Sequence, residues 1–113
     1  MCTKSQLNEV LKRLHKDAKG LFGDKLKEMI LYGSYARGTN NEESDIDVML
    51  IVDIPIEDEL ASAMLLADAV VDLNLEFDVV ISPLVESREK YEKYKNVNPL
   101  FINVEREGVR IAA

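Results

Sequence analysis

The spacing of apolar residues changes repeatedly along this chain, and each change marks an element. Leu7, Val10, Leu11, Leu14 and Ala18 recur at intervals of three and four, which places them on one face of an amphipathic helix. Thr3 and Gln6 have capping-box spacing at its start, and Gly20 and Gly23 are the expected stop. Met29 to Tyr32 is an unbroken apolar run, read as a short buried strand, which Gly33-Ser34 breaks in the manner of a strand-to-helix turn. From Ser44 the period becomes two: Ile46, Val48, Leu50 and Val52 point one way, and Asp45, Asp47, Met49 and Ile51 the other.

Beyond this unit the spacing predicts a loop over residues 53–58 and a helix from about Glu57 to Asn74. Its apolar face is wide, taking in Leu60, Ala63, Met64, Leu66, Ala67, Val70, Val71 and Leu73, with Asp58, Asp68 and Asp72 on the narrow polar side. Such a helix packs on a sheet with apolar surface to spare for a partner. Phe77 to Ile81 reads as a short strand closed by Ser82-Pro83. Two short helices are expected over residues 87–95 and 99–107, the second with Asn98 as N-cap and Pro99 at its first position. Gly108 then stops it before a brief strand over residues 109–111. The order of elements implies an α/β (α+β) domain in which a small mixed sheet packs with helices.

Composition narrows the function. At 113 residues the chain is expected to fold as one domain over residues 1–113, without room for separate nucleic-acid-holding subdomains. The formal net charge of -7 is the reverse of a surface that grips nucleic-acid backbone non-specifically, so a polymerase is disfavoured. Cys2 is the only cysteine, which excludes an internal disulfide and a Cys/His zinc site. Neither an apolar leader nor a membrane-length apolar run is present, so a soluble, cytoplasmic protein is expected. His15, among Lys12, Arg13 and Lys16 on the polar side of the first helix, is read as solvated. Glu42, Glu43 and Asp53 are read as surface acids, and Tyr91 and Tyr94 as packing residues.

The candidate chemistry lies in the central unit. Gly33-Ser34 alone is a turn, and Asp-x-Asp alone is usually a solvated strand face. Their combination is different: a small-residue turn lets a ligand approach the backbone, and Asp45 and Asp47 project together from one strand face. With an acidic segment at Glu76-Phe-Asp78-Val-Val, this signature resembles the nucleotidyltransferase superfamily that includes DNA polymerase β. The form Gly-Ser-Tyr-Ala-Arg-Gly and the short length resemble its smallest members, the minimal nucleotidyltransferases encoded beside HEPN-domain proteins. The similarity runs from about Leu26 to the end of the chain.

The resemblance implies the polymerase β-like nucleotidyltransferase fold and two Mg²⁺ ions about 3.5 to 4 Å apart, held by Asp45, Asp47 and Asp78. Asp78 would hold the ion that activates the acceptor hydroxyl and could also take its proton. Glu76 is the competing carboxylate if the register slips by two residues. Gly33 and Ser34 would bind the β- and γ-phosphates of ATP, and Arg37 would either add charge there or form a structural ion pair. If these residues must meet, the first two strands are antiparallel neighbours and the second and third run parallel, with the long helix as crossover.

The function implied is transfer of AMP from ATP to a hydroxyl, with a tyrosine of a HEPN-domain toxin as acceptor and partner, so that the chain would be an antitoxin. A module that neutralises its partner by occlusion, and a small-molecule nucleotidyltransferase, are the alternatives. The latter relatives carry a further domain for the acceptor, which this chain lacks room for.

Overall fold

The computed structural model describes residues 2–111. Helix α1 (Lys4–Phe22) is followed by β1 (Leu26–Tyr32), the single-turn α2 (Ser34–Arg37), β2 (Ile46–Val52), α3 (Glu59–Phe77), β3 (Ile81–Ser87), α4 (Arg88–Tyr94), α5 (Pro99–Glu107) and β4 (Val109–Arg110). The strands form one sheet in the order β3-β2-β1-β4. β1 is antiparallel to β2 and β4, whereas β2 and β3 are parallel and joined by α3.

The two-residue period of β2 divides the core. Ile46, Val48, Leu50 and Val52 pack with Leu31 of β1, with Val10, Leu11, Leu14 and Ala18 of α1, and with Leu66, Val70 and Leu73 of α3. On the other face Met49, Ile51 and Ile30 meet Tyr91 of α4 and Phe101 and Val104 of α5, with the two aromatic rings 4.8 Å apart. At α1 the capping box forms as expected, Thr3 Oγ1 accepting from the Gln6 N–H while Gln6 accepts from the Thr3 N–H. The helix runs through Gly20 and ends only at Gly23, where φ is +57°.

One element lies elsewhere than expected. The strand predicted over Phe77–Ile81 is instead the end of a helix and a turn: α3 continues to Phe77, and Asp78 caps it in the left-handed region (φ 52°, ψ 51°). Asn74 directs this change, since its backbone carbonyl accepts from Asp78 and Val79 while its side-chain oxygen accepts from Ile81 N–H at 2.9 Å. β3 therefore starts at Ile81 and passes through Pro83, read from the sequence as a stop. A proline is compatible here because β3 is an edge strand, where one ladder N–H can be missing.

At the far end of β3 from its start, Lys90 bridges Glu86 at 2.7 Å and Glu59 at 3.1 Å. Glu59 also accepts the Ser87 N–H at 2.6 Å. This partly buried network ties the start of α3 to the start of α4.

Candidate active site

The site forms where β1 ends, α2 begins and β2 begins. Tyr32, the last residue of β1, pairs with Asp47 of β2, so the turn that follows Tyr32 lies directly beside that carboxylate. Gly33 adopts φ 75° and ψ -154°, and a Cβ built on it would lie 2.3 Å from Asp47 Oδ2. Glycine is required twice over, by the backbone angle and by the space that the carboxylate occupies. The Gly33 carbonyl accepts from the Ala36 and Arg37 N–H groups, both at 3.1 Å, which closes the single turn of α2. The first N–H groups of α2, like those at any helix start, have no intrahelical acceptor and are available to an anion.

Asp45 and Asp47 project from the same face, as the alternation predicts. The Asp47 carboxyl is held above its ordinary range first by burial and then by the charge of Asp45, with the Arg37 guanidinium acting in the opposite direction. Arg37 forms an ion pair with Glu107 of α5 at 3.3 Å. It is thus a structural partner whose charge also reaches Asp47. Tyr32 is half-buried, and its hydroxyl is pushed up by burial and then by the charges of Asp47 and Glu86.

The third carboxylate is placed differently from the sequence expectation. Asp78 does not stand on β3; Ser82 holds the position beside Asp47 in the parallel register. The Ser82 hydroxyl donates to Asp45 Oδ2 at 3.1 Å. Asp78 instead lies at the end of α3, where with Asp45, Glu42, Glu43 and Tyr35 it lines a cleft of about 210 Å³ that Asp47, Gly33 and Ser34 do not line. Among the described residues no three acidic, histidine or cysteine side chains are arranged around one cation position. Glu76, the alternative carboxylate, is spent in an ion pair with Arg13 on the side facing α1.

The donor set nevertheless suits a hard divalent cation. Asp45 and Asp47 offer only hard oxygen donors from one strand face, and the Asp45 charge already disfavours the ionised form of Asp47. Sequence reasoning missed Ser82, whereas Glu42 and Glu43 are exposed acids, as read from the sequence. Ser82 would have been found by counting alternate residues back from Glu86 and Leu84, had Pro83 not been read as a boundary.

Comparison with known proteins identifies the family. The chain is 34% identical over 108 residues to MJ0141 of Methanocaldococcus jannaschii, whose name provisionally assigns it protein adenylyltransferase activity; the match covers 94% of this chain and 99% of that one. MJ1305 of the same organism, named likewise, is 35% identical over 102 residues, covering 89% of this chain and 68% of its own length. The solved MntA-HpeT toxin-antitoxin, in a variant form, has a TM-score of 0.55 at 20% identity, over 95% of this chain and 72% of the other. A toxin-antitoxin solved with AMP-PNP gives 0.54 at 17% identity, over 91% and 70%. These two likenesses show the fold, which is the polymerase β-like nucleotidyltransferase fold. The profile of the nucleotidyltransferase domain matches residues 5–110, nearly the whole chain, and with the Gly33 turn packed on the Asp47 carboxylate it establishes that this chain belongs to the nucleotidyltransferase family.

Proposed function

We propose that the chain transfers AMP from ATP to a hydroxyl of a protein partner, a tyrosine of a HEPN-domain toxin, and so acts as a cytoplasmic antitoxin. The observation that carries this reading is the contact between the Gly33 turn and Asp47, which sets a phosphate-accessible backbone against paired carboxylates. Two findings support the acceptor class: the provisional protein adenylyltransferase name of the relatives, and the toxin-antitoxin identity of the structural neighbours, one with AMP-PNP.

Asp45 and Asp47 would hold Mg²⁺, with Asp78 completing a two-ion set from across the cleft. The bound cations supply charge neutralisation for the triphosphate and the leaving pyrophosphate. Ser82 keeps the Asp45 carboxylate oriented through its hydrogen bond. The Ser34 hydroxyl and the first N–H groups of α2 bind the β- and γ-phosphates, and Arg37 adds positive charge nearby. The acceptor oxygen attacks the α-phosphorus, the bond to the bridging oxygen of the β-phosphate breaks, and pyrophosphate departs. The acceptor proton passes to a cleft carboxylate, for which Asp78 is the candidate.

The test is to incubate the chain with the HEPN-domain protein, ATP and Mg²⁺ and measure intact mass. A gain of AMP on the partner, lost with Asp47→Asn, is the expected result. The exposed apolar face of α3 favours neutralisation by occlusion as a second reading. Full neutralisation by Asp47→Asn with no AMP adduct would establish occlusion and overturn transfer.

A further inference from the structure

The outer face of α3 is apolar and uncovered. Leu60, Met64, Val71 and Leu75 are 74%, 68%, 52% and 78% exposed, and with Ala67 they form one stripe at helical spacing. The residues that α3 buries, Ser62, Leu66, Val70 and Leu73, lie on its opposite side. From Leu60 to Leu75 the stripe runs about 22 Å along the helix. Contiguous apolar surface of this kind marks a contact in a soluble domain.

Charge selects the occupant. Residues 53–78 contain eight carboxylates and no lysine, arginine or histidine. Asp68 and Asp72 border the stripe on the side facing α1, in a groove they share with Asp17, Arg13 and Lys16; Arg13 is paired with Glu76, which leaves three carboxylates against Lys16. A second copy of the chain could pair its stripe antiparallel, Leu60 against Leu75 and Met64 against Val71. The two-fold axis would then bring Asp68 and Asp72 of both copies onto the same rim, like charge against like. A partner with a basic rim meets no such penalty. The stripe also ends within one turn of Asp78, at the mouth of the cleft that Asp45 lines.

We propose that this face of α3 docks a second protein through an apolar helical ridge rimmed by lysine and arginine, and so holds the acceptor beside the nucleotide cleft. The positioning role rests on the reading above that the acceptor is a protein, whereas docking itself needs neither nucleotide nor metal.

The test uses two synthetic amphipathic helices of about five turns with the same leucine ridge, one rimmed by lysine and arginine and the other by glutamate. Fluorescence anisotropy against the full chain, without ATP or metal, should show the basic-rimmed helix binding about tenfold or more tightly. Met64→Glu with Val71→Glu should remove that binding and leave the melting temperature unchanged, since both residues are exposed. Asp68→Lys with Asp72→Lys should reverse the rim preference. Equal affinity for both helices, or binding that survives Met64→Glu with Val71→Glu, overturns the proposal. So does self-association in sedimentation that those same substitutions abolish, because a second copy would then be the occupant. Loss of docking with AMP transfer intact would separate failure of this inference from failure of the transferase reading.

Discussion

Gly33→Ala tests the geometry of the site most directly. The residue sits at φ 75° and ψ -154°, a region closed to side-chain-bearing residues, where occupancy costs roughly 1–3 kcal/mol. The added methyl would also lie 2.3 Å from Asp47 Oδ2 and 3.2 Å from its Cγ. The carboxylate is the end of a side chain that can rotate, so the clash displaces Asp47 rather than preventing folding. For a domain of this size each kcal/mol lowers the melting temperature by about 4 °C, so a fall of about 4 to 12 °C is expected in EDTA. Metal affinity, followed by calorimetry with Mn²⁺, should fall with it. A double-mutant cycle divides the effect: with Asp47→Ala the steric part disappears, and the backbone part persists. An unchanged melting temperature together with unchanged Mn²⁺ affinity would refute the argument, and full additivity in the cycle would refute the contact.

Three further outcomes are expected. Asp47 has a carboxyl pKa raised in the fold, so its favourable contribution is complete below the ordinary value of 3.8 and is lost as pH rises through the raised value. Asp47→Asn should therefore stabilise the metal-free protein at pH 7, with the gain vanishing in acid; equal effects at both pH values in thermal melts would contradict this. ATP should bind with Mg²⁺ or Mn²⁺ and lose affinity in EDTA, because the carboxylates of the cleft repel the triphosphate; titration calorimetry with equal affinities would reject the metal site. Lys90→Ala should cost about 1–2 kcal/mol by leaving Glu86 and Glu59 without their shared cation in a partly exposed setting, and burial raises the Glu86 carboxyl, so the cost should shrink as pH falls. Urea unfolding at pH 7 and in acid reads this, and an unchanged midpoint at pH 7 would contradict it.

Much of the architecture was legible because it rests on periodicity. The alternation from Asp45 to Val52 gave both the strand and the common face of the two acids, and Thr3-Gln6, Asn98-Pro99 and Gly108 gave helix ends through local hydrogen-bonding chemistry. The end of α3 was not legible. Phe77 to Ile81 has the β-branched character of a strand, yet Asn74 bonds both to the turn and to Ile81, and β2 pairs with the chain only from Val80 onward. Those partners are distant in sequence, so local preference could not weigh them. The same limit applied to Arg37, whose Glu107 partner is 70 residues away.

By itself, then, the sequence determined the elements, the Gly33-Ser34 turn and the shared direction of Asp45 and Asp47, since each follows from steric and hydrogen-bonding rules acting over a few residues. Tertiary structure alone decided what surrounds them. It placed Ser82 rather than Asp78 beside Asp47, left Asp78 at a helix end, and left Leu60, Met64, Val71 and Leu75 uncovered. The physical reason is that strand register and helix rotation are chosen by the packing of the whole core, in which Leu66, Val70 and Leu73 win the buried side of α3. An apolar residue next to them in the sequence carries no mark of which side it will take.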